Sequence, residues 1–126
     1  MDRHSLAEQQ VHAFGRGDVV EAIRLARMST SEPILVDTFS FNSSCILINE
    51  GGNQSDEELI RIGMQIVQGF LEDPATPREY LARARYNLSN AYAALAQICE
   101  QQGDVEGRLT NWRLQRDELQ VLVLDR

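Results

Sequence analysis

The chain has 126 residues, with 12 arginines, no lysine and 19 acids, for a formal charge of −7. That length suits one domain with a core of its own, and 43% apolar residues exclude a disordered chain. An acidic surface repels phosphate, which argues against nucleic acid or an anionic membrane as the main partner.

The elements follow in chain order, and every one of them reads as a helix. The first is predicted near 3–15. It carries His4 and His12 on roughly one side, with no cysteine or fixed acid partner nearby, so no metal site is expected. The N-terminal MDRHSLAEQQ lacks the apolar stretch of a signal peptide. Gly15 and Gly17 break the chain, and Asp18, with Glu21 three residues on, caps a second helix near 18–30. Glu32-Pro33 ends it.

The third segment, near 34–50, contains ILVDTFSFNSSCILI, rich in the β-branched and aromatic residues of strands. No other segment offers a strand partner, so it too is expected to be helical. Gly51-Gly52-Asn53 reads as the next break. Ser55 with Glu58 then reads as the cap of a helix near 56–72, whose Leu59, Ile62, Ile66 and Phe70 recur at helical spacing. Gly63 and Gly69 are the small residues of that helix, suited to close approach. Asp56-Glu57-Glu58 favourably occupies its N-terminus and needs no further explanation.

After Asp73-Pro74, the run Thr76-Pro77-Arg78-Glu79 reads as a capping box opening a long helix near 77–102. Gly103 ends it, and Asp104 caps a last helix near 104–125. That helix closes with LQVLVLDR, where Leu119, Leu122 and Val123 belong to a cluster apolar on more than one side. It reads as a surface for oligomerisation or for stacking against a further repeat.

Chemistry-bearing constellations are missing from this pattern. Cys45 and Cys99 lie far apart with no CxxC pair, which fits buried thiols in a reducing compartment, and a cytoplasmic location is expected. GRGD is a turn before a helix and lacks the lysine and spacing of a phosphate loop. No apolar run approaches the roughly 20 residues of a membrane-spanning helix. The expectation is no catalysis, no cofactor and no membrane.

The charge is local: residues 28–76 hold Arg61 against eight acids and carry the whole imbalance. Turns at Gly17-Asp18, Gly51-Gly52 and Gly103-Asp104 divide the chain into three helix–turn–helix units, near 3–33, 34–74 and 76–126, the first two turns 34 residues apart. The motifs are similar to those of the tetratricopeptide repeat. YNLSNAY (Tyr86 to Tyr92) resembles its first-helix motif. GRGDVVEAIRLA (Gly15 to Ala26) resembles its turn and second helix, and FLEDP (Phe70 to Pro74) its closing segment. The third unit is longer than the family norm by close to two helical turns, which keeps its apolar face in phase. Lengthened units of this kind resemble those of kinesin light chains and bacterial peptide-responsive regulators.

The resemblance implies an antiparallel array of about three helical hairpins, a solenoid whose first helices line a groove. On that implication the groove residues are Arg83, Tyr86, Asn87 and Asn90 in the third unit and Phe41, Asn42 and Asn49 in the second. A carboxamide both donates and accepts, and so can hold the backbone of an extended peptide. The family's carboxylate clamp is not expected, because Ala7 and Val11 stand where basic and amide residues would be needed. The expected partner is a protein or peptide, with homo-oligomerisation through the last helix, or continuation of the array, as the alternative. A weaker likeness of TFSFNSSCILINEGGN and YNLSNAYAAL to pentatricopeptide repeats points to RNA, against which stand the charge and the unequal units.

Overall fold

A computed structural model describes residues 2–30 and 34–124. Those residues form six α-helices: α1 (Arg3–Gly15), α2 (Val19–Arg27), α3 (Thr38–Gln54), α4 (Glu57–Glu72), α5 (Arg78–Gln101) and α6 (Val105–Leu124). A single 3-10 turn, Met28–Thr30, follows α2, and among the described residues there is no strand. The protein is all-α. The predicted break at Glu32-Pro33 lies outside the described residues.

Acidic caps start most of the helices. Asp2, Asp18, Asp37 and Asp56 each accept a hydrogen bond from the backbone N–H three residues on, which satisfies one of the orphan donors of the first turn. Asp104 does the same for Gly107, at 2.9 Å. Two expected caps take other roles. Ser55 does not cap α4. It ends α3 in the left-handed region at φ +52°, and Asp56 caps α4 instead. Thr76 makes no capping bond to α5; its hydroxyl turns back to donate to the Phe70 carbonyl at 2.6 Å, buried against the end of α4.

The second turn is therefore displaced from Gly51-Gly52, which lie inside α3. Those glycines serve packing. A Cβ on Gly51 would meet Ile60 Cγ1 at 2.7 Å and the Ile60 nitrogen at 2.9 Å. Gly63 of α4 faces the reverse way, within 2.7 Å of Ile48 Cγ1 and 3.1 Å of the Ser44 carbonyl by the same measure. α3 and α4 thus approach backbone to backbone at two points of their contact, which side chains larger than hydrogen would prevent. At Gly17 and Gly103 the reason is different: φ is +77° and +73°, and glycine takes that conformation without steric cost.

Neighbours in sequence are neighbours in space. α1 packs on α2, α3 on α4 and α5 on α6; α2 also meets α3, and α4 meets α5. α3 touches α1 on one side and α5 on the other. The core runs through these contacts, from Leu6, Ala13, Ala22 and Leu25 through Phe39, Leu47, Ile60, Ile66 and Val67 to Leu88, Ala91 and Leu95. Of the four residues that marked the period of α4, Leu59, Ile66 and Phe70 are buried, but Ile62 is only half-buried. Ile60, Met64 and Val67 are buried as well, because α4 is sandwiched between α3 and α5 and needs a wider apolar face than one stripe. Phe41, Phe70 and Tyr80 form a ring cluster with centroids 5.4–6.0 Å apart, tying α3, α4 and the start of α5 together.

α6 stands apart in this scheme. None of its residues is buried. The side it turns to α5 is largely polar: Asn111, Gln115 and Glu118 are half-buried there, and Glu118 Oε2 accepts from Arg85 Nη1 at 3.2 Å. Of its large apolar residues only Leu122 is half-buried, beside Leu81 and Ala82 of α5, and the others are exposed.

Candidate functional site

A cleft of about 400 Å³ opens between α1 and α3. Its α1 wall carries Gln10, Val11, Phe14 and Gly15, and its α3 wall carries Asn42, Cys45, Ile46 and Asn49. On each helix these residues are one, three or four apart, so they share a face. Val11 and Phe14 are 56% and 51% exposed, unusual for large apolar side chains that flank a cavity, so the rim is apolar and open. Among the described residues, no ionisable side chain other than the Cys45 thiol lines it.

Gln10 lies at the base, fully buried. Its Nε2 donates to Ser43 Oγ at 2.8 Å, and Ser43 Oγ in turn donates to the Phe39 carbonyl at 2.7 Å. Because that hydroxyl spends its proton on Phe39, it can only accept from Gln10, which fixes the amide orientation. Gln10 Oε1 has no hydrogen-bond partner.

Cys45 links the cleft to α5. Asn87 Nδ2 lies 3.0 Å from its sulfur. Burial pushes the thiol pKa up, outweighing the opposing hydrogen bonds from Asn87 and Ser44 and the charge of Arg83. The thiol is therefore neutral and poorly nucleophilic at physiological pH.

The expected groove residues fall into three settings. Asn42 and Asn49 line the cleft, and Asn87 reaches it through Cys45. Arg83 and Tyr86 are exposed on α5, with Asn90 half-buried beside them. Phe41 belongs to the ring cluster with Phe70 and Tyr80, so its environment differs from that of its sequence counterpart Tyr86, which is 56% exposed. Gln10, Val11 and Phe14 were not anticipated as site residues. Their signal was the i, i+1, i+4 placement of a glutamine and two large apolar residues on α1, a helix whose other residues are mostly small or polar.

The residues expected at an oligomer or stacking surface also divide. Leu119 and Val123 are exposed on one flank of α6. Leu122 is half-buried on the other side of that flank, in a cavity shared with Leu81, Ala82 and Arg85 of α5. Among the described residues no group of histidines, cysteines or acids could hold a metal ion, and no helix is long and apolar enough to cross a membrane.

What fold and site define together is an all-helical protein with a mixed carboxamide and apolar cleft between its first and third helices. No family model, curated protein or solved structure matches the chain, which leaves the tetratricopeptide likeness resting on the motifs quoted above.

Proposed function

We propose that the chain is a protein–protein interaction module of tetratricopeptide-like hairpins, α1–α2, α3–α4 and α5–α6, that binds a peptide or helix of a partner on the face formed by α1, α3 and α5. The observation that carries this reading is the cleft between α1 and α3, where exposed Val11 and Phe14 stand opposite Asn42 and Asn49. An apolar anchor of the partner would enter the cleft, and the carboxamides would hold its backbone. The neutral lining favours an uncharged anchor over an acidic C-terminus. The role is non-catalytic and cytoplasmic.

A random-peptide phage library panned on the protein tests it. Clones sharing an apolar anchor, whose synthetic peptides lose at least about tenfold in affinity against Phe14→Glu and Asn42→Ala, would support it. No enriched consensus, or affinity unchanged in both variants with their helical circular dichroism intact, would overturn it.

Self-association through α6 is the second reading. It is favoured by the large apolar residues that α6 leaves exposed, among them Val105, Leu109, Trp112, Leu119 and Val123.

A further inference from the structure

Five of the eight exposed large apolar residues of α6 are ordered, while Leu114, Val121 and Leu124 lie off the series. Val105, Leu109, Trp112, Leu119 and Val123, with Arg116 completing the series, alternate by four and three residues along the helix. That alternation is the seam of a two-stranded coiled coil. At 100° per residue the seam lies about a third of a turn round α6 from the Asn111–Gln115–Glu118 side that faces α5, so α5 does not obstruct it. A concavity of about 620 Å³ borders the C-terminal half of this side, lined by α6 residues that include Trp112, Arg116, Leu119 and Val123.

The seam is also self-complementary in one direction only. Val105 and Val123, Leu109 and Leu119, and Trp112 and Arg116 are each equidistant from Leu114. An antiparallel copy of the helix, placed on a two-fold axis at Leu114, sets valine against valine, leucine against leucine, and the Trp112 ring against the partner's Arg116. A parallel copy would press Arg116 on its own counterpart, burying like charges. Arg108 lies over the Trp112 ring with its guanidinium carbon 5.0 Å from the centroid, and Trp112 is still 45% exposed. Ring surface therefore remains open for a second cation. Arg116 is itself exposed, with a loose 3.4 Å contact to Asp117. The antiparallel arrangement does bring Arg113 near its own copy at the axis, a like-charge contact at the solvent rim that Asp117, one turn away on the same helix, offsets.

We propose that the occupant of this face is a second copy of the chain, bound through an antiparallel α6–α6 seam in which Trp112 of each protomer packs against Arg116 of the other. This rests on the self-association reading and adds its orientation, register and central contact.

Sedimentation equilibrium of the full chain is the first measurement. Twice the 14.3 kDa chain mass is expected, reverting to the single mass in the Leu109→Glu plus Leu119→Glu double variant with unchanged far-ultraviolet circular dichroism. A monomer at hundreds of micromolar overturns self-association itself. A dimer that survives the double variant, or survives in a milder Leu109→Ser plus Leu119→Ser variant should the glutamates unfold the helix, overturns the seam while leaving self-association standing. Direction is read by oxidation in a Cys45→Ser, Cys99→Ser background. Chains carrying Leu109→Cys are expected to form disulfides with chains carrying Leu119→Cys and not with themselves, since residue 109 would lie roughly 15 Å along the axis from its own copy. Efficient Leu109→Cys homodimer cross-linking would overturn the antiparallel register.

Discussion

Single residues set how α1 meets α3. Arg3 reaches from α1 to the cap of α3, donating to Asp37 Oδ1 at 3.1 Å, while Asp37 also accepts the Ser40 N–H at 2.8 Å. Burial alone would raise the Asp37 pKa. The Arg3 hydrogen bond and charge and the Ser40 N–H outweigh it and hold the carboxyl below its usual 3.8. A depressed folded-state pKa contributes stability that is present above the unfolded-state value and lost as pH falls through the folded one. Asp37→Asn keeps a capping side chain but removes the charge. The variant is therefore expected to be less stable than the parent at neutral pH, with the gap narrowing below about pH 4. Urea titrations across that range check the sign. The same contact orients the α1 face on which Gln10, Val11 and Phe14 stand. Neither the Arg3–Asp37 contact nor the Gln10–Ser43 bond has a local sequence signature, because each pair meets only when the fold brings the helices together.

At the scale of elements, most of the architecture was legible and the exceptions share a cause. Helix existence followed from caps and 3.6-residue periodicity, which are local. α3 was recovered in spite of its strand-like composition because no strand could pair with it. Its end was misplaced because Gly51-Gly52 looks like a turn in isolation, whereas its role is to admit Ile60 of α4. Thr76 likewise looked like a cap, and its buried bond to Phe70 depends on how α4 ends. Glycines retained for close approach give a sharp expectation. Gly63→Ala improves helix propensity by about 1 kcal/mol, yet its methyl would collide with Ile48 and the Ser44 carbonyl. The clash should win, with net destabilisation of about 1–3 kcal/mol in chemical denaturation and a lowered midpoint. The candidate cleft was half legible for the same reason. Asn42 and Asn49 came from one helix by spacing, while the α1 wall required knowing that α1 lies beside α3.

Across the whole molecule, stability is uneven. α4 is covered by helices on both sides, whereas α6 buries no residue and meets α5 mainly through polar groups such as the Arg85–Glu118 pair. Few buried apolar contacts mean a low free energy of local opening. Hydrogen exchange followed by mass spectrometry should therefore find the amides of α6 exchanging well before those of α3 and α4 in dilute protein. Protection confined to α6 should then rise with concentration if the helix pairs with a second copy. Uniform exchange across all six helices would contradict the uneven burial.

The cleft of α1 and α3 and the seam of α6 share no residue, so occupation of one leaves the other's surface untouched. A pair of chains joined at α6 would hold two identical clefts at a fixed separation. A partner carrying two copies of a weak motif, or displayed on a multimeric surface, would then bind by avidity. Such linkage raises apparent affinity by roughly 10²–10⁴ without one added contact. Changes at Trp112 would weaken capture of such a partner while leaving the affinity for a single peptide as it was.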